Sequence, residues 1–174
     1  TEQRVNELAE AQKRTEQRVN ELAEAQKRPE QEIKELARGL KETREMVGNL
    51  SDTVGYSLED RAMKSLPSLL KERYGIEVTE RLIRRYVKYD SKFDEINIFG
   101  KGKKDSREVY IIGEAKSRLS KGNVDDLLKL VQRLERHGVI KGERFLFMVT
   151  YTARPESEEY ALSKGVEVIW SYDV

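Results

Sequence analysis

The chain has 174 residues, of which 37% are hydrophobic and 37% charged. Its apolar share is below the roughly 45–50% of an average globular domain, so one part of it is expected to lack a core of its own. Lys and Arg (33) nearly balance Asp and Glu (32), a net charge of +1, which speaks against a strongly basic nucleic-acid or membrane-surface protein. With no cysteine there is neither a disulfide framework nor a thiolate zinc site. No apolar run nears the roughly 18 residues of a membrane span, and the polar start is unlike a signal peptide. The composition points to a soluble, cytoplasmic protein, and its Lys/Glu/Arg richness is in keeping with a thermophile.

Repeats organise the first third. Residues Thr1 to Arg14 read TEQRVNELAEAQKR, and Thr15 to Arg28 repeat them letter for letter; looser copies begin at Pro29 and Thr43. Each copy is two heptads. With Val5 at a, the a positions are Val5, Gln12, Val19, Gln26, Ile33, Leu40, Val47 and Val54. The d positions are Leu8, Thr15, Leu22, Pro29, Leu36, Thr43 and Leu50. A seam repeating every 3.5 residues predicts a left-handed coiled coil over residues 1–54. Such a helix cannot bury its seam alone, so a homo-oligomer through this segment is expected, as a rod of roughly 75 Å. Pro29 removes a backbone donor and is the place where the rod would break, leaving a fold-back hairpin open as well. Gln12, Gln26, Thr15 and Thr43 on the seam trade stability for register, and Ala9, Ala11, Ala23, Ala25 and Ala37 beside it widen the apolar face. The segment carries 10 Lys/Arg against 12 Asp/Glu, so it is no basic arm.

From Gly55 onward the period changes. Leu58, Ala62, Leu66, Leu69 and Leu70 predict a helix over 57–73, with Pro67 expected to kink or split it and Tyr74-Gly75 to stop it. A strand follows from Thr79 to Tyr89, then a turn at Asp90-Ser91-Lys92 and a strand from Phe93 to Phe99. Strand alternation there would put Glu95 and Asn97 on one side and Ile96 and Ile98 on the other. Gly100 to Ser106 reads as a basic turn, and Glu108 to Lys116 as the most apolar and therefore central strand. A helix from Val124 to His137, capped by Asn123 and ended by Gly138, comes next. A strand from Arg144 to Tyr151, a short helix from Pro155 to Ser163 and a strand from Val166 to Trp170 complete the chain. The order α-β-β-β-α-β-α-β implies an α/β domain over residues 55–174, with a mixed central sheet flanked by helices.

Chemistry concentrates on the end of the central strand. Glu114 and Lys116 are two apart and share a strand face. A lysine beside carboxylates can hold a phosphate or an attacking water, and oxygen ligands suit a Mg²⁺ ion in phosphodiester hydrolysis. Alone, E-x-K is a common wet-strand pattern. Here a hairpin strand carrying Glu95 precedes it by some 15 to 20 residues. That combination resembles the PD-(D/E)XK nuclease superfamily over Gly55 to Val174, about two-thirds of the chain. Gly55 to Glu59 (GYSLE) is similar to the first-helix Gly-x-x-x-Glu element of the resolvase-like members. Gln132 matches a polar helix position used by RecB-like members, and the added coiled coil looks like an archaeal branch of that superfamily.

The resemblance implies a restriction-endonuclease-like fold and a Mg²⁺- or Mn²⁺-dependent DNA endonuclease. Metal would sit on Glu59, Glu95, Asn97 and Glu114; Lys116, Glu114, Asn97, Glu95 and Gln132 would make up the catalytic set. One position departs from the pattern: Asn97 stands where the family has Asp, and it offers a carbonyl oxygen without charge. Asp94 is adjacent but alternation turns it to the opposite face unless a bulge re-aims it. The other reading is a catalytically degenerate nuclease fold serving as a DNA-binding or assembly module. Between Arg81 and Arg107 nine Lys/Arg face four Asp/Glu, a local excess that suits a phosphate backbone.

Overall fold

The computed structural model describes residues 1–174, which form two compact units, Thr1–Leu50 and Ser51–Val174. Helix α1, Glu2–Tyr74, makes up the whole of the first unit and opens the second. Its helical hydrogen bonding continues through both Pro29 and Pro67, so neither proline splits it. Each proline forfeits a single backbone donor, and around Pro67 the burial of Leu66, Leu69 and Leu70 holds the turn in place. In the first unit the seam side chains lie open, Leu8, Leu22 and Leu36 being about 70% exposed. The hydroxyls of Thr15 and Thr43 are satisfied within the helix, donating to the carbonyls of Ala11 (2.9 Å) and Gly39 (2.8 Å). Flanking ion pairs such as Arg38–Glu42 tie successive turns.

The second unit is a three-layer α/β domain. Its five strands lie in sequence order: β1 (Glu77–Tyr89), β2 (Lys92–Lys104), β3 (Arg107–Leu119), β4 (Arg144–Ala153) and β5 (Val166–Trp170). The first three form an antiparallel meander, and β3, β4 and β5 run parallel. The parallel steps cross over through α2 (Lys121–Arg136) and α3 (Pro155–Ser163). On one face Leu58, Ala62, Leu66, Leu69 and Leu70 of α1 pack on Ile98, Ile111, Phe147 and Val149. On the other, Val124, Leu127, Leu130 and Leu134 of α2 pack on Ile96, Phe99, Ile112 and Met148. At about 1.5–3 kcal/mol for each fully buried aliphatic side chain, these two cores supply the domain's stability.

Three local expectations are corrected. Residues 100–104 are strand, not turn: a Cβ on Gly100 would meet Leu82 at 2.6 Å, and one on Gly102 would meet the Glu77 carbonyl at 2.7 Å. Glycine there lets β1 and β2 close together, and the turn contracts to Asp105-Ser106, both at positive φ. The cap of α2 is Ser120, with Asn123 as its reciprocal partner three residues on, a capping box. The third correction shapes the site. Ile83 pairs with Phe99 and Arg85 with Ile96, so β2 holds one residue more than β1 between these rungs, a β-bulge. Ile96 consequently enters the α2-side core and Ile98 the α1-side core, and the two do not share a face.

Candidate functional site

Beyond the bulge the sheet forks. Residues 98–104 of β2 pair with β3, whereas 92–96 pair with β1 alone. The ladder bond that the fork would leave open is closed by a side chain, since Asn97 Oδ1 accepts the Ala115 N–H at 3.3 Å. A polar cleft of about 220 Å³ opens at this fork. Asp52, Gly55, Tyr56 and Glu59 reach it from one face of α1, at helical spacing, and Glu95, Asn97, Lys116 and Ser117 reach it from the strands.

Of the residues singled out in the sequence, Glu59, Glu95, Asn97 and Lys116 line this one cleft. Glu114 lies just beneath. Its side chain is 14% exposed and 3.9 Å from the Lys116 ammonium. Besides Lys116, the charges it feels are those of Glu59 on α1, Asp126 on α2 and Glu95. Glu95 and Glu114 feel each other across the fork, but only Glu95 lines the cleft. Gln132 is elsewhere, exposed on α2 beside Leu128, Arg144 and Lys164. Asp94 faces α2, where Arg133 grips both its oxygens at 2.7 and 3.0 Å, so it cannot stand in for the missing aspartate. His137 stacks on Tyr89 at 4.3 Å.

Arg84 is the residue that sequence reasoning missed. It appeared there only as one cation in a basic run, yet its guanidinium lies among the acids. Its Nε donates to Glu59 Oε2 at 2.7 Å, its Nη2 is 2.5 Å from the same oxygen and 3.4 Å from Asp60 Oδ1, and its Nε is 3.7 Å from Glu95 Oε1. The Tyr56 ring covers it at 4.5 Å. Glu59 is only 4% exposed, the one carboxylate among the buried residues. Burial pushes the Glu59 carboxyl above its ordinary range, Arg84 pulls it back, and the nearby charges of Glu95 and Asp60 push it up again. Glu114 is likewise held above its ordinary range, chiefly by burial. Lys116 offsets part of this, and the charges of Glu59, Asp126 and Glu95 add to it.

Carboxylate and amide oxygens are the ligand type that Mg²⁺ or Mn²⁺ takes, and Glu95 Oε1 is buried without a hydrogen-bond donor. Their arrangement nevertheless does not fit such an ion. No three acidic or histidine side chains stand together as a metal group. Glu59 is committed to Arg84, the Asn97 oxygen to the Ala115 amide, and Glu114 is outside the cleft wall. The cation that these carboxylates need is supplied by the chain itself.

Residues 60–173 match the family model described as "Domain of unknown function (DUF8196)". The chain belongs to that family. Among solved structures it is similar to one described as "MspJI Restriction Endonuclease in Complex with 27-mer Oligonucleotide", at 15% identity and a TM-score of 0.49. That match covers 75% of this chain and 29% of the endonuclease, so the chain spans less than a third of that protein's length. No curated protein matches the chain.

Two stability measurements test the electrostatics. Removing one partner of a buried ion pair leaves the other charge uncompensated, so Arg84→Met is expected to cost about 3 kcal/mol in urea unfolding at pH 7. Adding Glu59→Gln in that background should recover much of the loss; a double variant weakened by the full sum of the single changes contradicts the pairing. The second concerns Glu114. Its pKa in the folded chain is above its ordinary value of 4.5, so the folded state holds the proton more tightly than the unfolded one. The stability tied to that proton is complete below about pH 4.5 and is lost as pH rises through the folded value. Glu114→Gln should therefore be more stable than the parent at pH 7, with a gain that fades towards pH 4. An equal gain at both pH values contradicts this.

Proposed function

We propose that the chain is a DNA-binding module built on a nuclease-like α/β domain, in which the metal-dependent step is withheld. The observation that carries this reading is the guanidinium of Arg84 among Glu59, Asp60 and Glu95. A cluster of bare carboxylates repels a phosphate backbone until a metal neutralises it. Here Arg84 offsets part of that charge from within, and Lys116, 44% exposed at the cleft and 3.9 Å from Glu114, is placed to meet a phosphate. The element order, the E-x-K pair on β3 and Glu59 on the first helix support descent from a hydrolytic fold; Asn97, built into the sheet fork through Ala115, supports its retirement from hydrolysis.

A second reading, metal-dependent phosphodiester hydrolysis, draws on one specific feature: Glu95 Oε1, buried without a hydrogen-bond donor in the cleft that Lys116 also lines. Mg²⁺- or Mn²⁺-dependent nicking of supercoiled plasmid, abolished by Lys116→Ala, would favour it over the first. On the first reading, DNA is bound in EDTA as tightly as in Mg²⁺ and is not cut in either. Lys116→Ala should weaken that binding several-fold and lower its salt dependence by about one counterion. DNA affinity that needs a divalent ion and disappears in EDTA contradicts the proposal, as read by fluorescence anisotropy.

The rod fits the same reading as the element that joins several such modules. Its apolar seam, with Val5, Leu8, Val19, Leu22, Ile33 and Leu36 each more than half exposed, is what a second copy of this chain would cover. Leu22→Glu, on the seam, should shift the full chain towards monomer by light scattering at tens of micromolar, and Glu21→Ala, off the seam, should not. A parent chain that is already monomeric at that concentration contradicts self-association.

A further inference from the structure

The forked sheet produces a second feature, on the arm formed by β1 and the outer half of β2. One face of this arm is anchored: Val87 is buried against α2, Tyr89 stacks on His137, and Asp94 is held by Arg133. The opposite face, which carries Arg84 and Glu95, has nothing packed on its outer half. Strand alternation places Tyr86, Lys88 and Phe93 there, and both rings lie open, Tyr86 at 63% and Phe93 at 65% exposure. Lys88 pairs with Phe93 across the strands and sets its ammonium 5.7 Å from that ring. Tyr86 pairs with Glu95, so the two rings are diagonal neighbours on one face. Inward, the same face continues into the cleft, where Tyr56 is 44% exposed and Lys116 waits.

Two large rings exposed on a two-stranded arm serve no core, and single exposed aromatics need no explanation whereas a connected group does. We propose that this face is a track for unpaired DNA, with Tyr86 and Phe93 as stacking platforms for bases and Lys88 and Lys116 meeting the phosphates between them. The arm's open face suits an anionic partner: Lys88 lies next to its rings, and its one carboxylate, Glu95, is engaged by Arg84 and by the Tyr86 hydroxyl. Ring geometry selects single strands over duplex. Bases inside a duplex already cover one another's faces, whereas an unpaired base offers its face to an aromatic side chain. The inference rests on the DNA-binding reading and narrows it to DNA with an unstacked strand, such as a flap, a tail or an opened junction.

The test uses the full chain and fluorescein-labelled mixed-sequence DNA, single-stranded and as the matched duplex, in EDTA. Tighter binding of the single strand is expected in the parent protein. Tyr86→Ala and Phe93→Ala should each weaken single-strand binding about tenfold and leave duplex binding unchanged. Phe93→Tyr should keep the preference, Tyr86→Phe, which keeps the ring and drops only the hydroxyl's bond to Glu95, should keep it too, and the unfolding midpoint of Phe93→Ala should match the parent because that side chain is exposed. Equal affinity for the two DNA forms, or alanine variants that bind the single strand as well as the parent, overturns the track while leaving DNA binding intact. If neither form binds at low salt, the DNA-binding reading itself fails, and the track with it.

Discussion

One guanidinium organises the chemistry of this domain. Arg84 stands among Glu59, Asp60 and Glu95 beneath the ring of Tyr56, in a region where burial already raises the cost of charge on Glu59 and Glu114. Carboxylates so placed must be protonated, paired or bound to a cation. The chain's solution is pairing, and it shapes what the cleft can receive: Arg84 already occupies the place of a cation, and the repulsion of an anion is reduced.

The fork in the sheet is what makes room for this arrangement. A bulge in β2 switches the faces of Ile96 and Ile98, ends the β2–β3 ladder and leaves Asn97 to bond the Ala115 amide. The same parting frees the outer β1–β2 arm, which is fastened to α2 on one face and open on the other. Site and arm are thus two consequences of one extra residue in a strand.

Much of the architecture was legible from periodicity. The heptad seam, the helical spacing from Leu58 to Leu70 and the apolar run ending in Glu114-Ala115-Lys116 each announced an element whose partners follow from burial. Gly100 and Gly102 misled because glycine marks a turn in a propensity reading, whereas here it marks a close approach of two strands. Asn123 reads as a cap because a capping box puts two cap-forming residues three apart and the sequence does not say which leads. The bulge was beyond reach, since alternation counts residues and cannot see that one of them is unpaired. Arg84 was hidden for a similar reason: in sequence it is one cation of nine between Arg81 and Arg107, and only the packing of β1 beside α1 separates it from the others.

The central claim is that the carboxylates already have their cation. Calorimetric titration of Mn²⁺ into the full chain at pH 7 tests it most directly. No site filled at millimolar ion is expected in the parent, and a measurable one when Arg84 is replaced by methionine. Stoichiometric, tight binding of Mn²⁺ by the parent chain, unchanged by that replacement, would contradict it.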